Sequence, residues 1–339
     1  MSVPIHVLSS LRCRISRHAF FTRISRARVL FVGASVGVVL VSAACDRARS
    51  ASTTDSTASV RTITPPDSIA TIVAGSGWIV DAGPLMVLPT VDGGLTAGSL
   101  LRPEATELTV GDTIGVGRSA GDGRLELFSR GGLVGVARLT VAAAPRMDEG
   151  CTAWPVARLA NTASGPIRPW TAAFVAGHVV SIPLDSIEGL SARDSVRLAA
   201  DLTRLASALR DDTSATFHGL PFVVLRANRA RGLDTAFIVA TLARHVNQED
   251  SPREERLVIV VDVVGDDAKN WTVAWHERAA GREDDLVVAE PLMAFRTTRS
   301  KNVHLLFGRD DGVALGAAVL TRDARGWHVL WESAVAGCN

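Results

Sequence analysis

Three aspartates beside a glycine are the residues in this sequence best suited to hold a cation. Asp262 precedes Gly265, and Asp266 and Asp267 follow it. Ca²⁺ takes about six to eight oxygen ligands, and carboxylates on both sides of a tight turn can supply several of them. A charged hairpin turn explains the same residues without a metal. The sequence favours the plain turn, because Val264 stands where a calcium turn would carry another carboxylate.

The segment VVDVVGDDAKNWTV nevertheless resembles the FG-GAP calcium turns of β-propeller blades over about ten residues. Phe307–Gly312, with Asp310 and Asp311, resembles them more loosely. The resemblance implies Ca²⁺ as a ligand of Asp262, Asp266 and Asp267. Apart from this ion, we expect no cofactor.

Motifs for nucleophilic or metal-assisted catalysis are absent from the sequence. There is no Gly-x-Ser-x-Gly elbow, no HExxH, no phosphate loop and no CxxC pair. We therefore predict no catalytic residue and favour a non-catalytic binding or structural protein. The alternative is a surface-tethered hydrolase whose site is assembled from separate strands. Six histidines lie in the second half of the chain, and some of them could converge on a metal from separate strands, although edge or surface positions are favoured: His178, His218, His245, His276, His304 and His328.

The N-terminal segment carries a targeting pattern. Residues 1–44 contain six Arg and no acidic residue, and Val29–Ala44 is an uncharged run of sixteen residues that ends directly before Cys45. A run of this length is short for a membrane span of about 20 residues and suits the core of a signal peptide. A cleaved signal without lipid and an uncleaved anchor remain alternatives.

Over Val29–Cys45 the chain resembles a bacterial lipoprotein precursor. The resemblance implies a signal peptide at 1–44, a diacylated Cys45, and a protein held on a membrane of the cell envelope, facing the periplasm or the exterior. Residues 46–66 are rich in Ser, Thr and Ala without apolar periodicity, which predicts a flexible tether after the lipid.

The partners that we expect are the membrane, through the lipid, and an envelope protein or glycan. After residue 44 the chain holds 30 Lys and Arg against 35 Asp and Glu. This acidic balance argues against nucleic acid as a partner.

Two cysteines belong to the body of the chain. Cys13 lies in the predicted signal peptide and Cys45 is the predicted lipid site, which leaves Cys151 and Cys338. Two cysteines in an exported domain usually form a disulfide, so we predict this pair. A metal site would need more thiolates at short spacing, and a catalytic cysteine would need a histidine partner.

Short apolar runs between turn residues predict a mainly β (α+β) fold. In 67–145 the run Arg124–Phe128 alternates charged and apolar residues, and Gly131-Gly132 predicts a hairpin turn after it. This region is expected to form a small β barrel or sandwich.

Residues 150–339 are expected to form an antiparallel β-meander domain with one amphipathic helix. The helix is predicted at 191–210, with Ser191 and Asp194 as a capping box and an apolar stripe of Val196, Ala199, Leu202, Leu205 and Leu209. Eight apolar runs without helices between them follow it. Trp271, Val273 and Trp275 are predicted to share one face of their strand, as are Trp327, Val329 and Trp331.

Overall fold

The computed structural model describes residues 78–90, 94–101, 123–143, 151–152, 154–162, 166–209, 215–230, 236–246, 252–263, 270–310, 312, 314–333 and 335–338. All of them belong to one unit, Ala70–Asn339. The fold is mainly β with one α-helix in the described part of the chain, which confirms the predicted class.

Six antiparallel strands close into a barrel in the order β1-β2-β6-β4-β3-β7, with β7 pairing back to β1. The alternation predicted for Arg124–Phe128 is confirmed, because Leu125 and Leu127 fill the interior while Arg124 is exposed. The hairpin turn is confirmed as well, with Gly132 at φ +126°. The strands are β1 Met86–Pro89, β2 Ala97–Leu101, β3 Arg124–Ser129, β4 Gly132–Ala143, β6 Val156–Asn161 and β7 Ala172–Val175.

The barrel interior is packed with side chains rather than open. At Gly98 a Cβ atom would lie 2.4 Å from Val87 Cγ1 and 2.6 Å from the Leu88 carbonyl oxygen, so no side chain fits there. The Trp170 ring occupies the adjacent space, and its Nε1 donates to the Leu95 carbonyl oxygen at 3.0 Å. The interior is thus built for close packing.

One of two further layers is a five-stranded antiparallel sheet in the order β13-β12-β11-β10-β9. Strands β10 to β13 follow one another along the chain and pair consecutively, as expected of a meander. Its strands are β9 Leu184–Ser186, β10 Val223–Ala230, β11 Phe237–Val246, β12 Arg253–Val263 and β13 Trp271–Arg282.

A seven-stranded antiparallel sheet forms the other layer, in the order β5-β18-β16-β15-β14-β8, with β17 also paired to β16. Together with β10–β13, its strands β14–β17 account for all eight predicted apolar runs. Its strands are β5 Cys151–Thr152, β8 Val179–Ile182, β14 Val288–Thr297, β15 Val303–Asp310, β16 Ala314–Asp323, β17 Gly326–Glu332 and β18 Ala336–Cys338.

The two sheets pack face to face over an apolar core. Phe237 and Val260 of the five-stranded sheet meet Leu305, Phe307 and Leu320 of the seven-stranded sheet in this core. The opposite face of the seven-stranded sheet receives the barrel, where the rings of Phe174 and Phe295 lie 5.1 Å apart. The seven-stranded sheet therefore lies between the barrel and the five-stranded sheet.

The helix, α1, spans Ala192–Ala208 and covers the outer face of the five-stranded sheet. Ser191 caps it as predicted, since its hydroxyl accepts from the Asp194 backbone N–H at 3.2 Å. Leu202 is fully buried in the contact, whereas Val196 is 70% exposed. Val196 therefore lies outside the apolar contact of the helix, to which the other predicted stripe residues, Ala199, Leu205 and Leu209, contribute together with Leu198.

The expectation that each tryptophan trio shares one face is wrong. A bulge between Val260 and Val261 shifts the register of β12 with β13, so Val273 packs beneath α1 while Trp275 packs between the sheets. A second bulge, between Val319 and Leu320, separates Trp331 from Trp327 in the same way. One inserted residue reverses the side to which later residues point.

The barrel draws β6 and β7 from beyond residue 150 and its other four strands from 67–145. Strand pairing therefore joins the two predicted segments, 67–145 and 150–339. Their division into separate folding units stays a prediction.

Candidate functional site

The two body cysteines are placed opposite each other. Strand β18 pairs with β5 so that Cys338 is the register partner of Cys151. Opposed residues of an antiparallel pair have Cα atoms about 4.5 or 5.5 Å apart. Both separations lie in the range of about 4.4–6.8 Å that a disulfide spans. The backbone therefore brings together two cysteines that are far apart in sequence.

Of the residues proposed for calcium, the structure describes Asp262 alone. It lies near the end of β12, where its carboxylate accepts from Trp327 Nε1 at 3.2 Å and pairs with Arg322 at 3.1 Å. Burial raises the pKa of Asp262, while the Trp327 hydrogen bond and the Arg322 charge oppose that rise. These contacts link the two sheets. Asp266, Asp267 and Cys45 lie outside the described residues.

The six histidines are distributed over different layers. Within the described ranges, no three His, Cys, Asp or Glu side chains are grouped as metal ligands would be. His178 Nδ1 lies 3.2 Å from the Asp81 carbonyl oxygen, and His218 is exposed. Burial and the nearby Arg278 charge lower the pKa of His276.

His304 is the histidine in the most unusual environment. It is 4% exposed on β15, its ring lies 5.1 Å from that of Phe295, and its register partner on β16 is Thr321. His304 Nδ1 and Thr321 Oγ1 are both buried without a hydrogen-bond partner among the described residues. Burial lowers the pKa of His304 to about 4, against a smaller opposing effect of Asp81. The imidazole is therefore neutral at pH 7.

A charged group that joins the three layers is centred on Glu290 of β14, whose side chain is 8% exposed. Its Oε1 accepts from Arg130, in the β3–β4 turn of the barrel, and from Arg226 of β10. Arg130 Nε also donates to the Pro291 carbonyl oxygen at 2.9 Å. One carboxylate thus contacts all three layers: the barrel and both sheets. We call Glu290, Arg130 and Arg226 the Glu290 junction.

Desolvation lowers the pKa of both junction arginines. Burial is the cause for Arg130, and for Arg226 the Arg130 charge adds to it while Glu188 opposes it. Two guanidinium groups that approach each other in a partly dry site repel, and the Glu290 carboxylate offsets that repulsion.

Other buried carboxylates are held in a similar way. Glu255 of β12 is fully buried and accepts from Arg244 Nε at 2.7 Å and from Arg278. The Arg244 guanidinium lies 4.7 Å from the Phe222 ring centroid. Arg309 joins Glu277 of the five-stranded sheet, at 2.7 Å, to Glu332 of the seven-stranded sheet. These ion pairs connect neighbouring strands and layers, so their charges stabilise the fold.

An apolar hollow lies where the barrel meets the seven-stranded sheet. Trp78 and Trp331 meet there edge to face, with ring centroids 4.9 Å apart. The hollow is lined by Trp78, Ile79, Ala82, Met86, Phe174, Val319 and Trp331.

Sequence reasoning missed the Glu290 junction. Glu290 occurs inside a long apolar run, Leu286–Phe295, and a lone carboxylate at such a position indicates a buried, paired charge. The sequence thus indicates a paired Glu290 but not its partners. Arg130 and Arg226 lie 160 and 64 residues away, and no local pattern distinguishes them from other arginines.

No helix in the described part of the chain is both long and apolar enough to cross a membrane. No protein-family model matches the chain, and no significant match was found among curated proteins or solved structures.

The buried His304 predicts a loss of stability in mild acid. Its pKa is about 4 when folded and about 6.5 when unfolded, so the unfolded chain binds more protons between these values. Its contribution to the free energy of unfolding is present above pH 6.5 and falls by about 3 kcal/mol as the pH drops to 4.

Urea unfolding of the wild type and of His304→Leu between pH 7 and pH 4 measures this contribution. The variant should have a shallower pH dependence, whatever its absolute stability. His218→Gln, at an exposed position, should follow the wild type. Equal pH dependence in wild type and His304→Leu would show that His304 titrates normally.

Proposed function

We propose that the protein is exported, anchored through lipid on Cys45 to a membrane of the cell envelope, and active there as a non-catalytic binding or structural protein. The observation that carries the proposal is the uncharged run Val29–Ala44 that ends at Cys45 after a basic segment. Two acyl chains on one cysteine give stable anchoring where one chain would not.

The cysteine register supports the same location. Cys151 and Cys338 are opposed on neighbouring strands, and a disulfide between them would fasten β18 to β5. Such a bond persists in an oxidising compartment outside the cytosol. We therefore propose the Cys151–Cys338 disulfide as part of the mature protein.

The use of the buried charges supports a binding or structural role. Glu290 and Glu255 are each held by two arginines, and Arg309 is held between two glutamates. Carboxylates engaged in this way connect neighbouring strands or layers and so serve the structure. A folded β body on a predicted tether suits the presentation of a surface to a protein or glycan of the envelope.

Lipid attachment is tested by Cys45→Ala. The wild type should mature at the Ala44–Cys45 bond, carry a labelled fatty acid and partition into the detergent phase, because the acyl chains prefer an apolar phase. The variant should carry no label and remain in the aqueous phase.

Cys13→Ala provides the matched control, since this cysteine lies in the predicted signal peptide, and it should mature like the wild type. Equal detergent partitioning of wild type and Cys45→Ala, each with an intact N-terminus, would instead indicate an uncleaved anchor.

The disulfide is tested by mass spectrometry of the mature protein without reduction. We expect Cys151 and Cys338 in one cross-linked peptide. Cys151→Ser and Cys338→Ser should each lower the free energy of unfolding by up to about 4–5 kcal/mol, because the bond closes a very long loop. The double variant should be no less stable than either single one. Alkylation of both thiols without prior reduction would rule the bond out.

A further inference from the structure

Two buried polar side chains lie opposite each other on β15 and β16. His304 and Thr321 are direct register partners and are 4% and 3% exposed. His304 Nδ1 and Thr321 Oγ1 have no hydrogen-bond partner among the described residues. No other register pair in the described ranges carries such an atom on both of its side chains. We call His304 and Thr321 the polar pair.

The polar pair belongs to the face of the seven-stranded sheet that receives the barrel. The adjacent residues Leu305 and Leu320 point into the core between the two sheets, so the polar pair points to the opposite face. Phe295, the register partner of His304 on β14, meets Phe174 of the barrel on that face. The polar pair therefore lies in the contact between the barrel and the sheet, away from bulk solvent.

The spacing of the polar pair suits one small molecule between the two side chains. Opposed residues of an antiparallel pair have Cβ atoms about 4.5–5.5 Å apart. The two polar atoms are not hydrogen bonded to each other. A single oxygen atom at about 2.8 Å from each of them joins two atoms up to about 5.6 Å apart. A bridging molecule with one heavy atom therefore matches the spacing of neighbouring strands.

The chemistry of the polar pair requires a neutral molecule that both donates and accepts hydrogen bonds. The His304 imidazole is neutral at pH 7, because burial lowers its pKa to about 4, and the opposing Asp81 side chain is 40% exposed and thus hydrated. A neutral imidazole has one donor and one acceptor nitrogen, and a hydroxyl group does both. An ion would lose its hydration in this site without meeting an opposite buried charge. Water is the smallest molecule with the required properties.

We propose that one internal water molecule is bound between His304 Nδ1 and Thr321 Oγ1. Internal waters in proteins bond to buried polar groups that lack other partners, and they are costly to remove. This water joins β15 to β16 through their side chains, in addition to the backbone hydrogen bonds of the two strands. Because the barrel covers this face of the sheet, the water exchanges with solvent only when the barrel and the sheet separate locally.

A crystal structure of the protein with its ordered solvent tests the proposal. We expect one water oxygen at about 2.7–3.2 Å from both His304 Nδ1 and Thr321 Oγ1. A direct hydrogen bond between the two side chains would overturn the proposal. So would a site without solvent density between them.

The same water can be counted in solution by the magnetic relaxation dispersion of water oxygen-17, which detects water molecules that stay bound longer than the protein takes to tumble. Thr321→Val keeps the shape of the side chain and removes its hydroxyl, so this variant should hold one long-lived water fewer than the wild type. Thr321→Ser is the matched control, because it keeps the hydroxyl, and it should keep the water. Equal counts in the wild type and Thr321→Val would contradict the proposal.

Thermal melting at pH 7 should show that the wild type and both variants are folded. If Thr321→Val does not fold, the crystal structure of the wild type decides the question alone. The result does not depend on the anchor at Cys45, since the polar pair lies inside the folded body.

Discussion

The Glu290 carboxylate is the point at which the layers of this protein are held in one arrangement. It lies on β14 of the seven-stranded sheet and accepts from Arg130 of the barrel and Arg226 of the five-stranded sheet. Apolar packing can hold layers together in several relative positions, because it is not directional. A buried carboxylate with two arginine partners is directional, since removing a partner leaves a charge unpaired in a dry site. The junction therefore specifies how the barrel and the sheets are placed.

The chain path reinforces this placement. Pro183 separates β8, in the seven-stranded sheet, from β9, in the five-stranded sheet. The backbone N–H of Leu184, the first residue of β9, donates to the carbonyl oxygen of Arg130 at 2.8 Å. The β3–β4 turn is thus bound to the crossing by its backbone and to Glu290 by its side chain. The same turn needs Gly132, whose positive φ few other residues adopt.

Local sequence patterns predict much of the fold. The features that they do not predict depend on contacts between distant parts of the chain. The alternation at Arg124–Phe128, the Ser191 cap and the eight apolar runs predict their elements, because each pattern is complete within a few residues. The bulge at Val260 and Val261, which separates Trp275 from Val273, depends on a partner strand. Closure of the barrel by β6 and β7 and the partners of Glu290 depend on pairing across many residues.

The candidate sites show the same difference between what local sequence predicts and what tertiary contacts decide. The sequence predicts a disulfide between Cys151 and Cys338, because a body with two cysteines allows one pair, and the strand register places the two residues opposite each other. Asp262 was predicted as a calcium ligand because of its acidic neighbours. Its contacts in the structure are with Arg322 and Trp327, which come from other strands. The type of a residue indicates which interactions its side chain can form, and its tertiary partners decide which of these it forms.

A double-mutant cycle on Glu290 and Arg130 tests the account most directly, with the free energy of unfolding in urea at pH 7 as the measured quantity. We expect Glu290→Gln to cost about 3 kcal/mol, because Arg130 and Arg226 then face each other without the carboxylate. Arg130→Gln should cost less in the Glu290→Gln background than in the wild type, with a coupling of about 1–3 kcal/mol. Additive costs, or a Glu290→Gln variant within about 0.5 kcal/mol of the wild type, would contradict the role assigned to the junction.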